Sequence, residues 1–220
     1  APPATAVPPT AVPAGPKRGG TVTMVVWQEP EHLNPELSTM TVVDHVSSMT
    51  LEGLTGVNEK GERYPLLAIE VPTTTNGGVS ADGKTITYKL RKTTWHDGTD
   101  FTCDDLVFTW KVIMTPNSGA LDTGTYKDID TIECPNPNTA VLKFKTFRAD
   151  WIRLFSGIGL PMPKNAGKAE DFKTWAWNRK PIGTGAFKVD EFITADHITL
   201  SRNDKYWMPG KPYLDKIIVR

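Results

Sequence analysis

The clearest alternation of apolar and polar positions lies in DGKTITYKLRK (82–92), where Ile86, Tyr88 and Leu90 stand between polar residues. Strict alternation after an Asp-Gly turn is typical of a β-strand with one buried face. The segment TIECPNPNTAVLKFK (131–145) holds two shorter apolar runs around a Pro-Asn turn. The first segment therefore predicts a half-buried strand, and the second predicts a hairpin.

Further strands are predicted near both ends of the chain. GGTVTMVVWQ (19–28) is rich in β-branched residues and ends at a loop that contains two prolines. After a glycine-rich turn, the segments AFKVDEF (186–192), HITLSRN (197–203) and YLDKIIVR (213–220) each have the composition of a strand. The sequence has no internal repeat, which excludes solenoids and propellers.

Two segments have the apolar spacing of helices. In TVVDHVSSMTLEGLTG (41–56) this spacing runs from Val42 to Leu54, and glycines close the segment. A second helix is predicted after Thr102, a good N-cap residue, because Asp105 follows three residues later and can bond the amide of the cap. Behind this cap lies an apolar stripe that would dock the helix: Leu106, Val107, Trp110 and Ile113.

The polar stretch TWHDGTDFTCDDLVFTW (94–110) raises the question of an active site. Asp104 and Asp105 are adjacent and point apart on a helix, so they cannot form the facing carboxylate pair of a hydrolase. The G-x-S-x-G, P-loop and H-E-x-x-H motifs are absent from the sequence. We therefore predict no catalytic residue and assign both acids to the helix start, where they favour the helix dipole.

A metal site is an alternative that the sequence leaves open. It would use His96 and Asp97 together with His32, His45 or Asp44, but these residues lack the paired His or Cys spacing of recurrent metal sites. We predict neither a bound metal nor a cofactor.

Charge and composition exclude one class of partner. Twenty-five Lys and Arg residues against twenty-five Asp and Glu residues give a formal net charge of +0. The phosphate attraction that dominates nucleic-acid binding then has no obvious source, so no nucleic-acid partner is expected. No stretch approaches the roughly 18 to 20 consecutive apolar residues that a membrane-spanning helix needs.

The first eighteen residues, APPATAVPPTAVPAGPKR, contain six prolines and five alanines. This composition cannot bury enough apolar surface to offset the entropy of ordering. We expect 1–18 to be either a disordered tether, which when extended reaches on the order of 50 Å, or simply a flexible terminus. A tether would suit an exported protein that is held away from a surface.

The cysteines and tryptophans each leave two interpretations open. Cys103 and Cys134 are compatible with export, and they form either a disulfide or two separate buried thiols. Among the seven tryptophans, Trp95 and Trp110 are expected in the core. The others that could face a cleft are Trp27, Trp175 and Trp177, of which the last two lie in a weakly helical region between 147 and 180.

Four stretches in this order resemble a known family: EPEHLNPELST (29–39), the long segment 82–110, PIGTGAFKV (181–189) and LSRNDKYWMPGKPYLDKIIVR (200–220). The chain is similar to family 5 of the extracellular solute-binding proteins, the peptide, opine and nickel group, which deliver ligand to ABC importers. It departs from the family pattern at Asp100, Cys103 and Ala186.

The resemblance implies a mixed α/β fold of the type II periplasmic-binding-protein class, cluster C, in which two lobes close around a ligand. Residues 19–50 and 179–220 would form part of the ligand-facing domain of the first lobe, and residues 51–178 would form an inserted mixed-sheet subdomain. Family members are much longer, so the second lobe would be missing from this chain.

The resemblance also implies that a peptide or similar solute lies extended between the lobes and that the closed form docks on a membrane permease. The positions that would contact solute or shape the cleft are Ser38, Thr39, Met40, Thr41, Gly183, Thr184 and Gly185. We further expect an extracytoplasmic monomer held at the membrane as a lipoprotein. The alternatives are a member that binds a metal or metal chelate, and a tethered structural domain of the cell surface.

Overall fold

The computed structural model describes residues 15–220, so residues 1–14 of the expected tether lie outside the described part of the chain. The strands are β1 (Thr21–Met24), β2 (Thr55–Val57), β3 (Arg63–Pro65), β4 (Thr85–Lys89), β5 (Ile129–Asn136), β6 (Thr139–Phe144), β7 (Phe187–Ile193), β8 (His197–Arg202) and β9 (Lys216–Val219). The α-helices are α1 (Thr41–Ser47), α2 (Cys103–Met114) and α3 (Thr123–Tyr126). Short 3-10 turns occupy Pro35–Leu37, Trp151–Arg153, Ala169–Thr174 and Ala176–Asn178.

The first strand and the last strand are neighbours in one sheet, whose order is β1-β9-β8-β7. β1 runs parallel to β9, with Val22 opposite Ile217, whereas β9, β8 and β7 pair antiparallel. Leu33 and Val46 pack against the buried face of this sheet. The sheet therefore holds both α1 and the loop that precedes it.

The residues between β1 and β7 form two further sheets, β4-β6-β5 and β2-β3. Ile86 and Tyr88 of β4 are fully buried, which confirms the alternation predicted for that strand. The named strands of the inserted segment pair antiparallel, and one isolated bridge, between Leu154 and Ile158, is parallel. The two-residue connection between β5 and β6 can join only antiparallel strands. The parallel pairing of β1 with β9 lies in the other sheet.

Helix α1 is shorter than its apolar pattern predicts, since it ends at Ser47 and not near Leu54. The carbonyl groups beyond this point bond to another part of the chain. Met49 O accepts the Phe187 amide at 3.1 Å, and Thr50 O accepts the Gly185 amide at 3.0 Å. These long-range hydrogen bonds replace the intrahelical ones, so the chain leaves the helix and enters β2.

Helix α2 begins where the capping pattern predicts. The Thr102 amide donates to Asp105 Oδ2 at 2.8 Å, and the Lys164 amide donates to Asp105 Oδ1 at 2.9 Å. Asp105 is almost fully buried, and burial raises its pKa although these donors oppose the shift. Among residues 15–220, no helix has the length and apolar character needed to traverse a bilayer.

The region 147–180 forms 3-10 turns where the sequence suggested helices. Its aromatic residues close a small core, in which Trp175 stacks on Phe108 at a centroid distance of 5.8 Å. Trp175 and Trp177 are 6% and 5% exposed, so neither faces a cleft. Each indole donates to a nearby carbonyl, as buried tryptophans usually do.

Cys103 and Cys134 are joined in a disulfide, with their Cα atoms 5.7 Å apart. The bond links the first residue of α2 to β5 across 31 positions of sequence. It therefore fixes the start of α2 against the β4-β6-β5 sheet.

We predict that replacing both cysteines with alanine lowers the free energy of unfolding by about 3 to 4 kcal/mol, because the cross-link restricts the unfolded chain. Urea denaturation followed by tryptophan fluorescence measures the change. Treating the unmodified chain with a reducing agent should give a loss of similar size. An unchanged urea midpoint in both experiments would contradict the prediction.

Candidate functional site

 An open cleft with a volume of ≈ 740 Å³ lies among the described residues. Its walls come from the 3-10 turn and loop before α1, the end of α1, the β2-β3 hairpin, the loop 153–160 and Tyr206. These elements are far apart in sequence, so tertiary packing alone brings them together.

The turn Pro35–Leu37 is held in place by two buried asparagines. Asn34 caps the turn, because its side chain accepts the Glu36 amide at 2.9 Å. The Asn34 amide group donates to Asn178 Oδ1 at 2.8 Å, and Asn178 in turn donates to Phe172 O at 2.7 Å. This chain of hydrogen bonds fixes the position of Glu36 on the cleft wall.

The opposite wall, the loop 153–160, is held by the buried Tyr126. Its hydroxyl group donates to Ile158 O at 2.9 Å and accepts the Phe155 amide at 2.9 Å. Gly159 has a φ of +61°, and a Cβ atom there would lie 2.3 Å from the Tyr126 hydroxyl oxygen. Only glycine fits this left-handed position against the tyrosine. The Gly159 amide then points across to Glu36 Oε1, at 2.7 Å.

Glu36 is a buried acid on the cleft wall, with 4% of its surface exposed. Burial raises its pKa, and the nearby Asp122 carboxyl raises it further. Burial also raises the pKa of Asp122, which lines the same cleft. Neither residue was predicted from the sequence. For Glu36 the available signal was its position directly after Asn34 and Pro35, which mark a tight turn.

Glu52 is a second cleft acid that sequence analysis missed, but its surroundings differ from those of Glu36. It accepts hydrogen bonds from Thr184 Oγ1 at 2.9 Å, Tyr206 Oη at 2.7 Å and Trp207 Nε1 at 3.0 Å. Burial raises its pKa in spite of these donors. A single charge within the apolar stretch MTLEGL was the signal that could have identified it.

The predicted contact residues before α1 divide into two groups. Ser38 and Thr39 line the cleft. Met40 and Thr41 are not among its lining residues; Met40 precedes the first turn of α1, and its amide donates to Ser38 Oγ at 3.1 Å.

The turn Gly183–Gly185 lies behind the cleft wall and not on its surface. A Cβ atom at position 183 would lie 1.8 Å from Thr50 O, and one at position 185 would lie 2.7 Å from the same oxygen. Both glycines therefore allow the turn to approach the backbone after α1. Thr184 is the member of this turn that reaches a cleft residue, through its bond to Glu52.

Comparison with known proteins identifies the family. Residues 64–220 match the sequence profile of the bacterial extracellular solute-binding proteins, family 5, middle region. The chain belongs to this family. The family comprises bacterial extracellular solute-binding proteins, and the relatives of this chain include a putative ABC transporter peptide-binding protein of Brucella ovis, 30% identical over 146 residues. The family and the fold class expected from the four sequence stretches are thereby confirmed.

Three relatives of this family 5 chain illustrate the match. The oligopeptide-binding protein OppA of Bacillus subtilis is 29% identical over 214 residues, which cover 90% of this chain and 38% of OppA. The structure of AppA from Bacillus subtilis with a nonapeptide has a TM-score of 0.83 at 27% identity, covering 93% of this chain and 40% of AppA. The structure of AgaA from A. tumefaciens R10 with agropinic acid has a TM-score of 0.80 at 28% identity, covering 91% and 39%. The chain thus spans well under half the length of these relatives.

His96 connects the family stretch 82–110 to the glycine-rich turn. Its Nδ1 accepts the Gly183 amide at 3.1 Å, and its Nε2 lies 3.0 Å from Gly185 O. Because Nδ1 accepts a hydrogen bond, the proton of the neutral ring must lie on Nε2, which donates to that carbonyl. Burial lowers the pKa of His96 to about 4, so the ring is neutral at pH 7.

The histidines considered for a metal site lie in separate places. Both ring nitrogens of His96 bond to backbone groups, and His32 Nδ1 accepts the Asn34 amide at 3.2 Å. His45 packs edge-on against Trp27 at a centroid distance of 5.7 Å. Within residues 15–220, no three His, Cys, Asp or Glu side chains are placed to share a metal ion.

We predict that His96 makes the stability of the chain depend on acid. The pKa of His96 is about 4 in the folded chain, against its ordinary value of 6.5 in the unfolded chain. Between these two pH values only the unfolded chain binds the proton, so the free energy of unfolding falls as the pH is lowered through this window. Between pH 7.5 and 4.5 the native chain should lose about 2 to 3 kcal/mol more than His96→Gln, which cannot titrate. Urea denaturation at both pH values measures the difference.

The matched control for this experiment is Thr23→Gln, because Thr23 is exposed and neither side chain titrates. Its loss of stability on acidification should equal that of the native chain. Equal losses for the native chain and His96→Gln would show that the ring does not stay neutral in the fold.

Proposed function

We propose that this chain forms the first-lobe part of the binding component of an ABC importer and contributes one wall of its solute site. The cleft lined by Ser38, Thr39 and Glu52 is the surface that would receive the solute. Its volume of ≈ 740 Å³ is within the range of about 300 to 1,000 Å³ that is usual for ligand sites. This open cleft on a family 5 scaffold is the observation that carries the proposal.

The proposed solute is an oligopeptide or a similar extended polar molecule. AppA was solved with a nonapeptide and AgaA with agropinic acid, at nearly equal identity to this chain. The cleft offers hydroxyl groups from Ser38, Thr39 and Ser48, which can bond a peptide backbone directly or through water.

We propose that residues 19–50 and 179–220 belong to the ligand-facing domain and residues 51–178 to an inserted subdomain. The pairing of β1 with β9 and the separate β4-β6-β5 sheet support this division. Within it, Ser38 and Thr39 contact the solute, and Met40 and Thr41 shape the loop. The turn Gly183–Gly185 supports the wall from behind.

The importer assignment also suggests where the protein works and with what. A second lobe would close over the solute, and the closed form would dock on the permease. The protein would act outside the cytoplasm as a monomer without a nucleic-acid partner, and the proline-rich segment 1–18 would link it to a lipid anchor.

We predict that millimolar short peptides shift the amide NMR signals of Ser38, Thr39 and Ser48 in a saturable way. Thr39→Trp should weaken this binding at least tenfold, because the indole fills the cleft. The measurement is a titration of the ¹⁵N-labelled chain with a mixture of tetrapeptides.

Thr23→Trp is the matched control, because Thr23 is exposed on β1 and is not a cleft residue. It should bind peptides like the native chain. The proposal fails if no peptide produces saturable shifts at the cleft, or if Thr39→Trp binds as tightly as the control.

A further inference from the structure

Glu36 and Asp122 are neighbouring acids on the cleft wall, and the hydrogen bonding of Glu36 is incomplete. Glu36 Oε1 accepts the Gly159 amide, but among residues 15–220 no group donates to Glu36 Oε2, which is buried. Asp122 lines the same cleft, and its charge raises the pKa of Glu36. Two neighbouring acids therefore share this wall, and Glu36 Oε2 has no donor from the described chain.

Glu52 shows what a satisfied carboxylate looks like in the same cleft. It receives three donors from Thr184, Tyr206 and Trp207. Glu36 is more deeply buried than Glu52, but among residues 15–220 its carboxyl group accepts one hydrogen bond, from the Gly159 amide. An ionised carboxylate without partners is costly to bury, so Glu36 requires either a proton or an external cation.

The other charged groups of the cleft favour a cation. Its lining contains four acids, Glu36, Asp44, Glu52 and Asp122, and a single base, Arg153. Burial raises the pKa of Asp122, whereas the Glu36 side chain and the charge of Arg153 lower it. Arg153 is itself exposed, and none of the salt bridges described within residues 15–220 joins it to Glu36 or Asp122. The cleft lining therefore carries more acidic than basic side chains, and a positively charged solute would balance this excess.

We propose that the cleft selects solutes that carry a basic group, an ammonium or a guanidinium, and that this group docks between Glu36 Oε2 and Asp122. The inference rests on the proposed function, because it names the chemical class of solute for the same site. An ammonium group supplies the donors that both carboxyl groups lack. Glu36, whose pKa is raised in the free chain, would lose its proton when the cation arrives.

The test uses two blocked peptides that differ only in the basic group, Ac-Ala-Lys-Ala-NH₂ and Ac-Ala-norleucine-Ala-NH₂. Blocking both ends removes every other charge. The amide signal of Gly159 reports on the site, because this group donates to Glu36. We expect the lysine peptide to bind at least tenfold more tightly, to shift the Gly159 signal and to release a proton, measured by calorimetry in two buffers of different ionisation enthalpy.

Glu36→Gln keeps an acceptor for Gly159 but removes the charge, and Asp122→Asn tests the second acid with Glu36 intact. Each variant should reduce the preference for the lysine peptide to less than threefold, and Glu36→Gln should abolish proton release. Glu59→Gln is the matched control, because it removes one charge from an exposed acid that does not line the cleft. It should keep the tenfold preference.

The outcomes separate the two proposals. If both peptides bind equally and shift Ser38 and Ser48 but not Gly159, the solute site stands and the basic-group inference fails. If the preference survives in Glu36→Gln or is lost in Glu59→Gln, a general acidic field is responsible, and the inference also fails. If neither peptide produces saturable shifts, both proposals fail.

Discussion

The structure depends on the close approach of the turn Gly183–Gly185 to the backbone at Thr50. The Gly185 amide bonds to Thr50 O at 3.0 Å, and a side chain at position 183 or 185 would occupy the space of that carbonyl group. This contact ends α1, because it takes the carbonyl group that another turn of helix would use. It also aligns β7 behind the cleft, since the Phe187 amide bonds to Met49 O. The His96 ring also holds this turn, because it bonds to the Gly183 amide and to Gly185 O.

The cleft is a consequence of this contact and of the two buried networks beside it. The turn places Thr184 against Glu52, and the Asn34 to Asn178 bond places Glu36. Glu36 is buried and Glu52 is half-buried, yet Glu52 accepts bonds from three protein donors, whereas Glu36 has an oxygen without a donor among the described residues. Glu52 therefore supports the wall, and Glu36 is the acid that we propose to meet the solute.

Local patterns were reliable wherever the interactions that decide a structure lie close in sequence. The cap of α2 follows from Thr102 and Asp105, three residues apart, and the alternation around Tyr88 marks its buried face. The prediction for α1 was too long, because its apolar spacing continues past Ser47 while its carbonyl groups are claimed by residues far along the chain. Trp175 and Trp177 could not be placed from sequence, since an aromatic residue in an irregular segment fits a core and a cleft equally well.

The sequence by itself determined the family, the fold class and the role of the polar stretch around Trp95 as a helix start. These depend on ordered motifs and on spacings of a few residues, which are visible without coordinates. Only the tertiary structure decided which residues face the cleft, because Glu36, Asp122 and Gly159 come from three separate segments. It likewise showed that His96 bonds to a turn 87 residues away. Burial and long-range hydrogen bonds set the charge state of such groups, and neither can be read from the order of residues.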